Sequence, residues 1–368
     1  MRIPINDLRR VDTALAAEMY EAVQQVLHRG WFVLGPELEA FEAEFAAYCG
    51  VPHAIGVANC TDALELALRA LEVGPGREVA TVANAGMYGT TAILRAGAVP
   101  LYIDVDECNL SMSPEALNAA ISSKTAAVVA THLYGRMARI EELLAIAGRA
   151  GIPVVEDCAH SVGARKDGRQ CGSWGALGCF SFYPTKNLGA MGDAGAVVAS
   201  DAVLARKVRA LRQYGWTSKY HSTLSGGRNS RMDEIQAAVL RVKLPHLNAW
   251  NVRRREIAAR YSAGLAGCDL ILPLAGAESN DVSHLYVIRS RRRDQLRESL
   301  CTNGIGTDIH YPIPDHLQPS MRGVPFRQTP LTVTEQSARE ILTLPCFPEL
   351  TAGELDEVIR AVSISMVR

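Results

Sequence analysis

Short apolar, β-rich runs alternate with helical periodicity through the first two thirds of the chain. The runs lie at 54–57, 78–82, 100–105, 126–131, 153–156, 178–182 and 194–199. They read as strands buried on both faces, in the manner of a parallel sheet. Between them, residues 62–72 place Leu64, Ala67, Leu68 and Leu71 on one helix face, and 113–122 and 140–150 read the same way. This alternation predicts α/β crossovers. Gly74-Pro75-Gly76 and Gly97-Ala98-Val99-Pro100 punctuate the joins. A basic helical stretch follows over 232–265, which Pro245 should bend or interrupt. The remainder, with a strand at 284–289 and a helix at 351–362, reads as a smaller α+β unit. The expected division is a large α/β domain over 1–245, with a mostly parallel central sheet flanked by helices, and a small C-terminal α+β domain over 246–368.

Composition narrows the class. Of 368 residues, 48% are hydrophobic and 21% charged, which is ordinary for a globular protein with a substantial core. A formal net charge of -1 gives no basic surplus for nucleic acid or an anionic membrane. The first residues carry no apolar signal core, and no run approaches a membrane span. The nine cysteines include no Cys-x-x-Cys pair, so neither a zinc ribbon nor a disulfide framework is expected. The simple expectation is free thiols in a reducing cytoplasm, with no metal.

Three stretches carry candidate chemistry. In Ser181-Phe182-Tyr183-Pro184-Thr185-Lys186-Asn187-Leu188-Gly189, a lysine follows an apolar strand. It is either a surface turn residue or, if desolvated at the strand end, a nucleophile able to form a Schiff base. In Val154-Val155-Glu156-Asp157-Cys158-Ala159-His160, Asp157 stands at a strand's carboxyl end, where open α/β sheets place ligands. It either caps the next helix or pairs with a protonated pyridine nitrogen. His160 either approaches the same ring or is structural. Asn59-Cys60-Thr61-Asp62 joins a strand to a helix start, where free N–H groups favour a phosphate and Thr61 adds a hydroxyl. The plain alternative is an N-cap by Thr61 or Asp62. Ser181 offers a second hydroxyl. Together these residues supply a phosphate cradle, an acid and an amine, a far more specific set than any one alone.

With these motifs, the chain resembles the DegT-type sugar aminotransferases, pyridoxal-phosphate enzymes of the aspartate-aminotransferase-like fold type I. The resemblance runs from Gly30-Trp31-Phe32-Val33-Leu34-Gly35-Pro36 to Leu344-Pro345-Cys346-Phe347-Pro348. It includes His132-Leu133-Tyr134-Gly135, Asn229-Ser230-Arg231-Met232-Asp233-Glu234 and His310-Tyr311-Pro312. It implies that pyridoxal 5'-phosphate is joined to Lys186, which then shuttles the proton. Asp157 would face the pyridine nitrogen and His160 the phenolic oxygen. Thr61 and Ser181 would hold the phosphate, with Cys60 in the same loop. Asn229 would act from a partner subunit, making a homodimer with shared sites. Two departures stand out. Cys60 replaces the family's usual Gly or Ser, and Gly86 stands where a ring-stacking aromatic is usual. Tyr88 is the candidate replacement, or else an ordinary core or surface tyrosine.

Tyr214-Gly215-Trp216, Lys219-Tyr220 and Trp250-Asn251-Val252-Arg253-Arg254-Arg255 resemble the branch that aminates carbon 3 of a nucleotide-linked 3-keto-6-deoxyhexose. Tyr183, Lys219, Tyr220, His310 and His316 are its candidate sugar or diphosphate contacts, against the alternative of ordinary loop polarity. L-glutamate is the family's donor. Amination at carbon 4, amination of a keto-cyclitol, and a non-catalytic sugar-binding or regulatory protein are the competing readings. The family's dehydratase branch has His where this chain has Lys186. A nicotinamide enzyme is disfavoured because no Gly-x-Gly-x-x-Gly follows the first strand.

Overall fold

In a computed structural model of the chain, residues 1–274 and 280–366 are described. Seven of the apolar runs become strands of one sheet: β1 (His53–Val57), β2 (Glu78–Thr81), β3 (Val99–Tyr102), β4 (Thr125–Thr131), β5 (Val154–Asp157), β6 (Leu177–Ser181) and β7 (Gly195–Ala199). A second pair, β8 (Tyr286–Arg289) and β10 (Ile341–Leu344), forms a small antiparallel sheet. Between them in sequence, β9 (Arg327–Gln328) returns to the edge of the main sheet and pairs in parallel with β3. The main order is β1-β7-β6-β5-β4-β2-β3-β9. All neighbours are parallel except β7, which runs against both β1 and β6. The run at 194–199 therefore departs from the parallel expectation.

Successive strand residues enter different cores, which explains their unbroken hydrophobicity. Val128 and Val154 face one side of the sheet, Val129 and Val155 the other. The first face is covered by α2 (Pro36–Cys49), α5 (Pro114–Ala120), α6 (Ile140–Arg149) and α8 (Glu234–Lys243). The second is covered by α3 (Cys60–Ala70), α4 (Tyr88–Arg95) and α7 (Ala202–Leu211). Helix α1 (Thr13–Arg29) lies along α8. A third core gathers α9 (Leu247–Leu265), α10 (Arg293–Thr302), the small sheet and α12 (Ala352–Met366) around Tyr261, Leu342 and Val358, and Ile3 joins it. Helix α11 (Thr332–Glu340) leads into β10. Among the described residues no helix is long and apolar enough to cross a membrane.

Local chemistry sets where elements stop. The stretch 232–265 divides into α8 and α9 at a 3-10 turn, Leu244–His246, that holds Pro245. The run at 100–105 ends early because Asp104 leaves the sheet. Its carboxylate accepts from the Val333 and Thr334 amides at 3.0 and 2.9 Å at the start of α11. Helix α1, which the apolar pattern does not single out, is bounded by an Asp12 N-cap and by Gly30 at φ +68°. Helix α2 has no side-chain cap of its own. Glu234 supplies one from α8, accepting from Gly35, Glu37 and Leu38 amides at 2.9–3.0 Å. A Cβ at Gly35 would lie 2.7 Å from that carboxylate.

At the carboxyl end of β5, Glu156 is fully buried. It accepts from the amides of Trp174 and Gly175 at 2.7 Å and of Gly172 at 2.8 Å, and lies 2.9 Å from His132 Nε2. Burial is the largest single influence and disfavours a charged His132, but the bond to Glu156 and the charges of Glu156, Cys171 and Asp157 together outweigh it and hold the ring above its ordinary pKa. Glu156→Gln keeps the volume but sets an amide against these donors. It should cost about 3–5 kcal/mol, read as a lower urea midpoint with unchanged slope; an unshifted midpoint would show that the cluster contributes nothing.

Candidate active site

The carboxyl ends of β1, β5 and β6 open on one cavity of about 840 Å³. Asn59, Cys60 and Thr61 follow β1, Asp157 ends β5, and Ser181, Tyr183 and Lys186 come from the end of β6 and the turn beyond it. All of them line the cavity, together with Tyr88, His160 and His310. Strand-end convergence of this kind is the usual ligand position of an open α/β sheet.

Lys186 is desolvated here. Burial pushes its amine down to about 8, against the opposing pull of Cys60 and Asp157. A substantial neutral fraction therefore exists near neutral pH, which an exposed lysine lacks. Asp157 is buried, and burial raises its carboxyl above the usual range, although the Ala159 amide and the Lys186 charge act the other way. Its Oδ1 accepts from Ala159 at 3.1 Å. One amide does not exhaust a carboxylate with about four acceptor positions. A cationic ring nitrogen is a fitting further partner.

The start of α3 has free donors of the kind an anion needs. Its N-cap is Asn59, not Thr61 or Asp62: Asn59 Oδ1 accepts from the Asp62 amide at 2.8 Å. The Cys60 and Thr61 amides have no acceptor among the described residues, and the Thr61 hydroxyl is left free. A phosphate would satisfy these groups. Cys60 is the first residue of α3. Its buried thiol lies 4.0 Å from Asp157 Oδ1, and burial beside that carboxylate keeps it protonated. The residues present thus fit pyridoxal phosphate: an amine, an acid and an anion cradle in one cavity.

His160 is buried, and desolvation with the charges of Lys186 and His310 holds it well below its ordinary pKa. Its Nδ1 accepts from the Tyr134 amide at 3.2 Å. The place beside Gly86, where an aromatic was expected, is filled from another loop. A Cβ at Gly86 would meet the Tyr311 ring at 2.9 Å. Tyr88 lines the cavity half-exposed and meets Tyr311 edge-on at 6.0 Å. Asp315 clamps the two loops together, accepting from the Met87 amide at 2.9 Å and the Thr90 hydroxyl at 2.6 Å.

Four predicted residues lie elsewhere in the single chain. Lys219 and Tyr220 sit on an exposed hairpin, the ammonium 5.2 Å from the neighbouring ring. Asn229 is exposed and outside the cavity. His316 is turned away from it: Nε2 pairs with Glu335 at 3.2 Å and the ring lies against Tyr102. Conversely, Asn6, His284, Asp308 and Tyr311 line the cavity without having been singled out. Tyr311 stands beside the predicted His310. Asn6 comes from the N-terminal segment, and no local pattern marks it.

His132, Glu156 and Cys158 have ligand atoms close enough to hold a metal. Their bonding argues against it. His132 Nδ1 accepts from the Ala138 amide at 3.0 Å, so Nε2 carries the proton given to Glu156. Neither ring nitrogen has a free lone pair.

Known proteins agree with this geometry. The model of the DegT/DnrJ/EryC1/StrS aminotransferase family matches residues 13–363. A dTDP-3-amino-3,4,6-trideoxy-alpha-D-glucose transaminase of Streptomyces venezuelae is 45% identical, over 98% of this chain and 95% of its own length. The crystal structure of S. venezuelae DesV, in complex with a ketimine intermediate, superposes with a TM-score of 0.94 at 44% identity, covering 98% of this chain and 97% of that one. NtdA from Bacillus subtilis, with bound cofactor PMP, gives 0.92 at 28% identity, covering 99% and 85%. The sheet, the desolvated lysine and the match from end to end lead to one assignment: the chain belongs to the DegT/DnrJ/EryC1/StrS aminotransferase family and has its fold type I architecture.

Proposed function

We propose that the protein is a pyridoxal-phosphate-dependent sugar aminotransferase that moves the amino group of L-glutamate to carbon 3 of a dTDP-linked 3-keto-6-deoxyhexose. The observation that carries this reading is a lysine amine at about 8 in one cavity with a buried aspartate and a helix start whose first two amides have no acceptor among the described residues. Pyridoxal phosphate, bound there, supplies an aldehyde that an amine can capture and an electron-withdrawing ring.

The chain's residues divide the remaining work. Lys186 takes a proton from one carbon and returns it to another, which its lowered pKa suits. Asp157 would keep the ring nitrogen protonated. His160 has Nδ1 occupied by Tyr134, so its Nε2 carries the hydrogen and would be free to donate to the phenolic oxygen. The Cys60 and Thr61 amides, with the Thr61 and Ser181 hydroxyls, would hold the phosphate. Tyr183 and His310 line the cavity and are the proposed sugar contacts, and Tyr88 is proposed to flank the ring. Carbon 3 is favoured by the name of the Streptomyces relative.

The assembly is a homodimer in this reading. Tyr20, Leu27, Trp31 and Phe32 are exposed, an apolar surface that a second copy would cover. Asn229, outside its own cavity, would then reach the phosphate from the partner, and Lys219 and Tyr220 would approach the sugar the same way. The free cysteines, seven of them buried, support a cytoplasmic site.

Lys186→Ala should fold normally, lose the borohydride-reducible cofactor link and lose turnover; full turnover in that variant refutes the role. Lys186 must be neutral to capture an aldehyde. Uptake of pyridoxal phosphate by the cofactor-free chain should therefore accelerate with pH and level off above about 8. A rate flat from pH 6.5 to 9 would contradict a desolvated amine. Glutamate with a panel of 3-keto and 4-keto nucleotide sugars should give product only from the former; exclusive use of 4-keto sugars would move the assignment.

A further inference from the structure

Helix α4 begins without a cap of its own. Its N-cap residue, Met87, has no side-chain oxygen and stands at φ +71°, directly after Gly86 at φ +74°. Glycine takes left-handed backbone freely, but a methionine there is strained and must be held by its surroundings. Asp315, 228 positions away, holds it. Its Oδ1 accepts from the Met87 amide at 2.9 Å and its Oδ2 from the Thr90 hydroxyl at 2.6 Å. The Gly86 amide acts on the same carboxylate. Thr90 gives its hydrogen to Asp315, so its oxygen accepts from the Tyr102 hydroxyl at 3.1 Å. A buried carboxylate from a distant loop thus caps the positive end of α4.

The two segments joined in this way carry two aromatic rings of the cavity. Tyr88 is the first residue of α4, and Tyr311 lies where a Cβ on Gly86 would be, 2.9 Å from its ring. The rings meet edge-on at 6.0 Å, and both line the cavity. The start of the Tyr311 loop is anchored on other elements. Thr343 exchanges backbone bonds with Asp308 at 2.8 and 3.3 Å, and its hydroxyl lies 2.8 Å from His310 Nδ1. The Tyr134 hydroxyl donates to the His310 carbonyl. These contacts fix the loop to β10 and to the 133–135 turn. Asp315 ties it to residues 83–90, through its carboxylate and through its own amide, which donates to the Ala83 carbonyl at 2.7 Å.

We propose that Asp315 is a positioning residue whose carboxylate, by capping α4, sets Tyr88 and Tyr311 as one aromatic wall and so governs how tightly pyridoxamine phosphate is held. The ligand is taken from the aminotransferase reading, on which this part rests; the placement of the rings does not depend on it. No cation pairs with Asp315 among the described residues, and burial lifts its carboxyl to about 6 against the pull of its donors. The groups around it are the Tyr102 hydroxyl from β3, reached through Thr90, the two cavity tyrosines, and His316, which turns to Glu335 of α11. Asp315 is therefore charged at pH 8 and takes up a proton near pH 6. A proton on Oδ2 would oppose the Thr90 hydrogen, so that bond must reorganise.

Two substitutions in the full chain test the clamp, and both keep the backbone bond to Ala83. Asp315→Asn preserves the volume and an acceptor for Met87 but removes the charge. Asp315→Leu removes every acceptor. Fluorotyrosine placed singly at position 88 or 311 reports each ring by fluorine NMR, and titration with pyridoxamine phosphate at pH 8 gives the dissociation constant. Both fluorine signals should move in Asp315→Leu, with the dissociation constant rising roughly 10-fold, and Asp315→Asn should stay within about threefold of the parent. In the parent both signals should shift together between pH 8 and 5 with a midpoint near 6, a step that Asp315→Asn lacks. This second measurement stands even if Asp315→Leu does not fold. A lower urea midpoint in Asp315→Leu with unmoved signals and unchanged affinity would mean a merely structural cap, and the inference fails. A parent without the pH step, or the same step in Asp315→Asn, overturns it too. A parent that binds no pyridoxamine phosphate would instead sink the aminotransferase reading, and the fluorine spectra would still judge the clamp.

Discussion

The buried carboxylate of Glu156 sets the frame for everything around the cavity. It gathers three backbone amides from the 172–175 turn and the His132 ring at the carboxyl end of β5. Side chains of adjacent strand residues point to opposite faces. Once Glu156 is committed to that cluster, Asp157 is turned to the other side, into the cavity. A charge this deep is tolerated only when fully bonded, so the cluster admits one arrangement. The placement of the acid opposite Lys186 follows from it.

The sequence made the strand-end residues legible for a physical reason. Unbroken apolar runs mark strands buried on both faces, and the first polar residue after each run falls at the sheet's edge. Asp157 and the Asn59–Thr61 turn are legible in this way, and Ser181 lies inside its run. Position alone left Lys186 open, as either a surface lysine or a nucleophile, and its desolvation became visible only once Asp157, Cys60 and His160 surrounded it. The antiparallel sense of β7 was hidden, because a buried strand has the same composition in either direction. Helices α1 and α2 were hidden too, although Asp12, Gly30 and Gly50 mark their ends.

Residues that depend on distant contacts were the least legible. Tyr311 fills the room left at Gly86 from 225 positions downstream of it, and Asp315 joins their loops. His316 shares the polarity of its neighbours but points into a niche beside Tyr102 and Glu335. Local sequence gives loop polarity and not side-chain direction.

The return of β9 to the main sheet has a bearing on how the chain is made. Arg327 and Gln328 pair with Leu101 and Tyr102, and Thr329 continues the contact through its amide to the Tyr102 carbonyl. During synthesis, β3 leaves the ribosome more than two hundred residues before its outer neighbour exists. Until then the nascent sheet has an open edge, with the backbone of β3 free to template a foreign strand. The Tyr102 ring also lacks its cover from Phe326 and Met321 during that interval. The sheet is closed only when the late-made segment docks, so chaperone demand during translation should concentrate on this edge.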